Sequence, residues 1–400
     1  MTEAATPHVN IQEAIQRSNA YACLQCGKCT SVCPVSIEGR SYSPRMTVTR
    51  TAREDLNGLL EASDLWSCLT CQKCDAYCPA GVSYLSLMKV LRVGAKEAGF
   101  DGTCSHSGAL QTLARLMVNP NLKQERLDWL PADAKTAQKG DVLYFVGCAP
   151  YFDALFTNLE LRTLDAAISS IRILNSMGIE PVLMDDERCC GHDLFWNGDR
   201  ANFQRLAEHN VAAIKATGAK TILFSCAECQ SAFKQLYAEA GLAVSAELKH
   251  MSEFLAEKMQ TGELELDEPS MDVTYQDPCR LGRHLGIYDA PRQVLSGDGH
   301  LKEMIQHEQR SLCCGVSGWM NCGATAKGIQ VQRLRQARDT GAKVMAVACP
   351  KCQVHLLCAQ QDRGIGAENA IEIRDIATLA LARLKDRKAA GKVKKVLSTK

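Results

Sequence analysis

Cysteine is the residue type through which this sequence could do chemistry. The chain has 400 residues and 21 cysteines, and an odd number argues against a framework of paired disulfides. The first residues show no basic segment followed by an apolar one, so we expect a cytoplasmic protein whose thiols stay reduced. Reduced thiols are good ligands for zinc and for iron. The sequence therefore predicts cysteine-bound metal or redox chemistry.

Eight of the cysteines lie near the N-terminus in two runs of equal spacing. Each run reads Cys-x2-Cys-x2-Cys-x3-Cys-Pro, and the runs are Cys23, Cys26, Cys29 and Cys33, and then Cys68, Cys71, Cys74 and Cys78. This pattern resembles that of bacterial ferredoxins with two [4Fe-4S] cubane clusters, where the fourth cysteine of each run ligates the other cluster. The resemblance implies one ligand set of Cys23, Cys26, Cys29 and Cys78, and another of Cys68, Cys71, Cys74 and Cys33.

Zinc is the main alternative for these eight cysteines. Cys-x2-Cys pairs also occur in zinc ribbons, where two separated pairs usually form one tetrahedral site. Four cysteines within eleven residues, twice over and each time ending in Cys-Pro, fit that arrangement poorly. We therefore favour iron–sulfur clusters.

The second half of the chain contains one order of cysteines twice. In each copy a single cysteine is followed by Cys-Cys-Gly and then by Cys-x2-Cys. The thiols are Cys148, Cys189, Cys190, Cys226 and Cys229 in the first copy, and Cys279, Cys313, Cys314, Cys349 and Cys352 in the second. Cysteines that merely fill a core need not keep such an order. The repeat predicts two similar sites of five thiols each.

Short apolar segments of strand length precede the cysteines of both copies. These segments are Val142–Val146, Ile222–Phe224, Val273–Gln276 and Val344–Val347. Helix-like stretches lie between them, at residues 159–177, 202–217 and 324–340. Strands that alternate with helices indicate a parallel α/β arrangement, in which ligands gather at the carboxyl ends of the strands. We therefore expect each copy to present its thiols along one edge of a sheet.

The cysteine clusters divide the chain into predicted domains. We expect a helical ferredoxin-like module at residues 1–103, a partly helical linker at 104–140, and two similar α/β cysteine-rich domains at 141–265 and 266–390. A basic tail at 391–400 follows them. The predicted fold class is α+β with α/β repeats.

The repeated cysteine order resembles the paired cysteine-rich (CCG) domains of the catalytic subunit of heterodisulfide reductase. The segment from Asp277 to His284, Asp-Pro-Cys-Arg-Leu-Gly-Arg-His, is similar to a segment of that family, and so is Asp128-Trp-Leu-Pro131. The resemblance covers nearly the whole chain except the basic tail. It implies that each five-cysteine set binds a noncubane [4Fe-4S] cluster and that the two clusters face each other across a cleft.

The resemblance also implies a reaction and partners. Two cubane clusters would pass electrons to the noncubane pair, which would reduce a small disulfide or related sulfur substrate. No Gly-x-Gly-x-x-Gly motif follows a predicted strand. Electrons would therefore come from a flavin/iron–sulfur protein or a membrane cytochrome subunit in a hetero-oligomeric complex, and the cytochrome would hold the chain at the inner face of the membrane.

Three further residues lie beside the expected cleft. His192 and His284 could deliver protons to the thiolates that disulfide cleavage forms, or could hydrogen-bond to cluster sulfur or backbone. Arg280 stands where the family has a histidine and could bind an acidic substrate group. This departure leaves open another organic disulfide or a protein-borne sulfur species as substrate.

The remaining cysteines, Cys104, Cys322 and Cys358, have no predicted ligand role, although Cys322 could lie near the second site.

Other function classes are compatible with the same motifs. The iron–sulfur subunit of glycolate oxidase has a similar layout, so the chain could transfer electrons without a substrate of its own. A zinc-dependent interaction scaffold is a third reading. The net charge of +1 argues against nucleic acid as a partner, and no apolar run reaches the length of a membrane span.

Overall fold

The structure is a computed structural model that describes residues 10–385 except 40, 57, 298 and 363–366. The predicted basic tail at 391–400 lies outside the described residues. A helical N-terminal part is followed by two α/β repeats, so the predicted fold class is confirmed. None of the helices within the described residues is both long and apolar enough to cross a lipid bilayer.

The N-terminal part is built from helices around the two cysteine runs. They are α1 (Ile11–Ser18), α2 (Lys28–Val32), α3 (Pro34–Gly39), α4 (Pro44–Ala52), α5 (Lys73–Ala76), α6 (Tyr84–Glu97) and α7 (Ala109–Leu116). The longest, α6, buries Leu87, Met88 and Leu91 on one face, which is the spacing of an amphipathic helix. This face packs into the largest hydrophobic core of the chain.

A three-stranded parallel sheet forms the centre of the first repeat. Its order is β1 (Val142–Phe145), β2 (Thr221–Phe224) and β3 (Glu247–His250). The helices around it are α8 (Ala149–Leu155), α9 (Leu164–Ser176), α10 (His192–Trp196), α11 (Arg200–Thr217), α12 (Ala227–Ser231) and α13 (Met251–Gln260). A π-helical segment, Ala232–Tyr237, continues α12.

The second repeat has the same strand order. Its sheet consists of β4 (Val273–Tyr275), β5 (Val344–Val347) and β6 (Glu372–Asp375), all parallel. Its helices are α14 (Asp289–Leu295), α15 (Ala324–Arg338), α16 (Pro350–Gln360) and α17 (Ile376–Ala382), with a π-helical turn at Arg280–His284. The internal sequence repeat is therefore a structural repeat.

Two features differ from the sequence-based expectation. The helix expected from residue 159 begins at Leu164, because a 3-10 turn at Thr157–Leu159 ends in Glu160 with a left-handed φ of 51°. Strands β3 and β6 were not expected, since both carry charged residues and neither forms an apolar run. Both are edge strands of their sheets, where such residues are usual.

Candidate metal centres

The eight N-terminal cysteines line two neighbouring cavities. One cavity is lined by Cys33, Cys68, Cys71 and Cys74. The other is lined by Cys23, Cys26, Cys29 and Cys78, and Cys74 lines both cavities. Each cavity thus combines three thiols of one run with the last thiol of the other. We call them the inner cavity, which contains Cys71, and the outer cavity, which contains the exposed Cys26.

Burial raises the pKa of three thiols of the inner cavity, Cys33, Cys68 and Cys74. Burial, together with the neighbouring Cys71 and Cys68, raises the pKa of Cys33 to about 12. The pKa of Cys74 is raised well above its usual value by burial and by the adjacent Asp75. A bound cationic metal centre would stabilise the thiolates that burial disfavours. A cavity walled by four thiols, three of which have a raised pKa, fits a sulfur-ligated metal centre.

The ten cysteines of the repeats form one continuous chain of interacting thiols. Neighbouring sulfurs interact in the first repeat in the order Cys148, Cys189, Cys190, Cys229 and Cys226. They interact in the second repeat in the order Cys279, Cys313, Cys314, Cys352 and Cys349. The first pair, Cys148 Sγ and Cys189 Sγ, is 3.8 Å apart. Because Cys226 also interacts with Cys349, the two sets meet at their Cys-x2-Cys segments.

The strand ends and two glycines position these thiols. Cys226 follows β2 and Cys349 follows β5, each immediately before a helix. Gly191 and Gly315, which end the two Cys-Cys-Gly segments, have left-handed φ values of 75° and 89°. A Cβ at Gly315 would lie 2.8 Å from the carbonyl oxygen of Ala326, so the chain turns here only with glycine.

Three side chains of the second repeat form hydrogen bonds with the loop that carries Cys71. Arg280 Nη1 donates to the carbonyl oxygen of Thr70 at 2.8 Å, and Nη2 donates to its Oγ1 at 2.5 Å. Arg283 Nε donates to the carbonyl oxygen of Cys71 at 2.6 Å. His284 Nε2 lies 2.9 Å from the carbonyl oxygen of Thr70. The π-helical turn after Cys279 is thus hydrogen-bonded to residues that line the inner cavity.

These contacts bear on the roles considered for Arg280 and His284, and the hydrogen bond of His284 to the backbone is one of the two roles considered for it. Both terminal nitrogens of Arg280 are engaged by the protein, and its guanidinium lies 4.7 Å from the ring centre of Trp196. Burial, followed by the charge of Arg280, lowers the pKa of His284 well below its usual value, so its imidazole is neutral at pH 7. The geometry therefore favours positioning of the ferredoxin loop over contact with an acidic substrate group.

His192 lies in a separate charge cluster at the junction of the repeats. Lys351 Nζ is 2.5 Å from Asp193 Oδ1 and 2.7 Å from Glu228 Oε2. His192 Nδ1 is 3.0 Å from the same oxygen of Asp193. Burial alone would lower the pKa of Lys351, but the two carboxylates raise it well above its usual value. The ammonium therefore stays charged between the two five-thiol sets.

A second buried ion pair supports the first repeat and was missed from the sequence. Glu187 accepts hydrogen bonds from Arg126 Nη2 at 2.5 Å and from the backbone N–H groups of Val146 and Gly147 at 3.0 and 2.7 Å. Arg126 belongs to the segment predicted as a linker, and both side chains are fully buried. The segment thus contributes to the loop before Cys148. The two residues are 61 positions apart, so no local pattern indicated the pair.

The three remaining cysteines are placed around Trp319 and α15. Lys327 Nζ lies 3.0 Å from Cys358 Sγ, and Cys322 lies near both groups. Cys104 Sγ is 3.8 Å from Met320 Sδ.

Comparison with known proteins identifies relatives over most of the chain. Residues 142–234 and 273–357 match the cysteine-rich domain family, and residues 18–82 match the 4Fe-4S dicluster domain. The chain is 34% identical to a subunit of the dihydromethanophenazine:CoB–CoM heterodisulfide reductase of Methanosarcina acetivorans, over 75% of this chain and 73% of that protein. It is 29% identical to EtfAB:quinone oxidoreductase of Syntrophomonas wolfei, over 64% of this chain and 35% of that one.

One solved structure is similar in fold. The crystal structure of a hypothetical protein from Helicobacter pylori matches with a TM-score of 0.55, over 95% of this chain and 73% of that one. Its sequence identity is 12%, so the likeness concerns the fold alone.

Proposed function

Because the chain belongs to the family of this heterodisulfide reductase subunit, we propose that it reduces a disulfide or a related sulfur substrate between its two repeats. It is an iron–sulfur oxidoreductase subunit related to that protein and to other iron–sulfur electron-transfer proteins. We propose further that it works in a hetero-oligomeric complex, with a flavin/iron–sulfur protein or a membrane cytochrome subunit as electron donor.

The proposed cofactors are two cubane and two noncubane [4Fe-4S] clusters. The cubanes are assigned to the inner and outer cavities, and the noncubane clusters to the two five-thiol sets. When bound, they would supply one-electron transfer together with iron atoms that can take up sulfur. All assigned ligands are cysteines, and most are partly or fully buried.

The meeting of the two five-thiol sets carries the proposal. Both sets keep all five cysteines, and they adjoin at Cys226 and Cys349. Two complete and adjoining sites would provide one place for each sulfur of a cleaved disulfide bond. A chain that only relays electrons would not need this symmetric arrangement.

The inner cavity contacts the second repeat through Arg283, whose Nε donates to the carbonyl oxygen of Cys71. The guanidinium of Arg283 interacts with the thiols of Cys71, Cys279 and Cys313, so a ligand of the cavity and two ligands of the second set surround one side chain. The outer cavity, by contrast, includes the exposed Cys26. We therefore propose that electrons enter at the outer cavity and reach the second repeat through the inner one.

Electron relay without a substrate is the second candidate function. The similarity to EtfAB:quinone oxidoreductase favours it, because that name describes a protein acting on quinone and not on a disulfide.

Thiol-dependent EPR distinguishes the two candidates. The anaerobically prepared full chain should carry about sixteen irons, four in each cluster. Oxidised protein given coenzyme M or free cysteine should show a new paramagnetic signal. Cys313→Ser should remove that signal and leave both cubanes reducible by dithionite, because the change affects one five-thiol set.

Three results would contradict parts of this assignment. Stoichiometric zinc with little iron would overturn all four clusters. About eight irons after reconstitution would remove the noncubane pair. Sixteen irons with no response to any thiol would replace disulfide reduction by electron relay.

A further inference from the structure

Two residues at equivalent positions of the repeats meet where the five-thiol sets join. Glu228 is the third residue of Cys226-Ala-Glu-Cys229, and Lys351 is the third residue of Cys349-Pro-Lys-Cys352. Their charged atoms are 2.7 Å apart. If the repeats were identical at this position, two like charges would face each other. The opposite charges therefore suit a contact between two similar but non-identical surfaces.

The charges at this contact are shielded from solvent. The Lys351 side chain is 3% exposed, and those of Glu228 and Asp193 are 14% and 21% exposed. The ammonium of Lys351, from the second repeat, lies between the carboxylates of Glu228 and Asp193, both from the first repeat. Without it, the two partly buried carboxylates would keep, among the described residues, only His192 Nδ1 as a neighbour, at 3.0 Å from Asp193 and 3.4 Å from Glu228, which is unfavourable because no full positive charge would face them.

The ion pairs are directly attached to the cluster-binding segments. Glu228 lies in the short helix that also carries Cys229, and Lys351 lies in the first turn of the helix that carries Cys352. A neighbouring contact joins the repeats in the same place, since His250 Nε2 lies 3.1 Å from the carbonyl oxygen of Ala348. A change in the distance between Glu228 and Lys351 would therefore move the thiols on both sides.

We propose that Lys351, Glu228 and Asp193 form an inter-repeat clamp that fixes the separation of the two five-thiol sites. They are positioning residues, because they act through the segments that hold the cysteines. The inference rests on the proposed function in so far as clusters occupy both sites. The clamp itself joins the repeats whatever the substrate is.

A charge-exchange experiment tests the clamp. Glu228→Lys, Lys351→Glu and the double exchange are compared in the full chain, and the double exchange keeps one ammonium and two carboxylates. The magnetic interaction between the two repeat clusters is measured by EPR, together with the melting temperature. Each single variant should lose most of the interaction and melt lower, and the double exchange should recover both.

Controls keep the test decisive. Lys220→Glu breaks the exposed ion pair with Asp141 (76% and 70% exposed) and should change neither reading. If a single variant does not fold, Glu228→Gln replaces it, since it keeps the volume and should weaken the interaction less. A single variant with wild-type magnetic interaction, or a double exchange as impaired as the sum of the singles, would overturn the clamp.

The two proposals can fail separately. If the wild-type chain shows no EPR signal from the repeats, the proposed cluster assignment fails. The melting temperatures then still decide the clamp, because recovery in the double exchange does not depend on clusters.

Discussion

The two repeats have the same strand order and the same order of cysteines, but different parts of the chain hold them in place. The first repeat is supported by Arg126, which comes from the preceding segment and pairs with the buried Glu187. The second is fastened to the N-terminal module, where Arg283 donates to the carbonyl oxygen of Cys71. The first repeat also contacts the N-terminal module, because Arg92 of α6 donates to the carbonyl oxygens of Trp196 and Cys68. The second repeat differs in that Arg283, four residues after its own Cys279, makes the contact.

This difference indicates that the two five-thiol sets have different roles, although both contain five cysteines in the same order. The second set adjoins the inner cavity through Cys71 and Cys313, and it adjoins the first set through Cys349 and Cys226. We infer that electrons reach the first repeat by way of the second.

The largest effect is expected for the ion pair of the first repeat. Arg126→Met would leave the Glu187 carboxylate buried without its cation, which should cost about 3–5 kcal/mol of unfolding free energy. Denaturant unfolding measures this loss, and iron analysis should show about four irons fewer. Arg162→Met removes an ion pair that is 48% exposed at the arginine and should cost no more than about 1 kcal/mol. Equal losses in both variants would contradict the structural role of Arg126.

A smaller effect is expected where the second repeat meets the N-terminal module. Arg283→Ala removes hydrogen bonds to the carbonyl oxygens of Cys71 and Ser311, at a cost of about 1.5–3 kcal/mol. Reduction of the repeat clusters by a protein donor should slow in stopped-flow experiments, while the cubanes are reduced normally. Arg17→Ala, on the exposed face of α1, serves as control. If the repeat clusters are reduced at the wild-type rate in Arg283→Ala, this contact does not contribute to electron transfer.

The grouping of the cysteines could be predicted from the sequence, because the motifs that carry them are marked by local spacing. The two ferredoxin-like runs and the strand-then-cysteine order are short-range patterns. The four strands that precede cysteines are apolar, so their positions were also evident within a residue or two.

The supporting contacts could not be predicted because they join distant positions. Lys351 is 158 residues from Asp193, and Arg280 is 210 residues from Thr70. Arg280 was expected to bind substrate because it follows a cluster cysteine. In the tertiary fold its guanidinium donates to Thr70, a contact that no local pattern indicates, and its role toward a substrate stays a prediction. A charged residue inside each Cys-x2-Cys segment was the one available hint of the inter-repeat clamp.

A pH-dependent effect is expected where the two repeats differ in a helix cap. His250 caps α13 and Asp375 caps α17, each at the end of the third strand of its sheet. Burial lowers the pKa of His250 to about 4 and raises that of Asp375 to about 8. Folded His250 resists protonation, so its contribution to stability is lost as pH falls from about 6.5 to 4. Folded Asp375 resists ionisation, so stability is lost as pH rises from about 4 to 8.

Two asparagine variants distinguish the pH dependence of stability due to His250 from that due to Asp375. Each group should contribute a slope of at most about 1.4 kcal/mol per pH unit to the unfolding free energy. Asp375→Asn should flatten the loss between pH 4 and 8, and His250→Asn should flatten the loss below pH 6.5. Unfolding curves recorded across pH 4–8 measure both slopes. If a slope remains unchanged in the variant that removes its assigned group, another titrating group causes that slope.

The order of electron arrival is tested most directly by freeze-quench EPR of two cysteine variants. Cys189→Ser and Cys313→Ser each disable one repeat and should each retain about twelve irons. They are mixed with a reduced bacterial ferredoxin as donor. We predict that Cys189→Ser leaves the second-repeat signal developing at the wild-type rate, and that Cys313→Ser abolishes reduction of the first repeat while the cubane signals develop normally. Reduction of the first repeat at the wild-type rate in Cys313→Ser would contradict the inferred path.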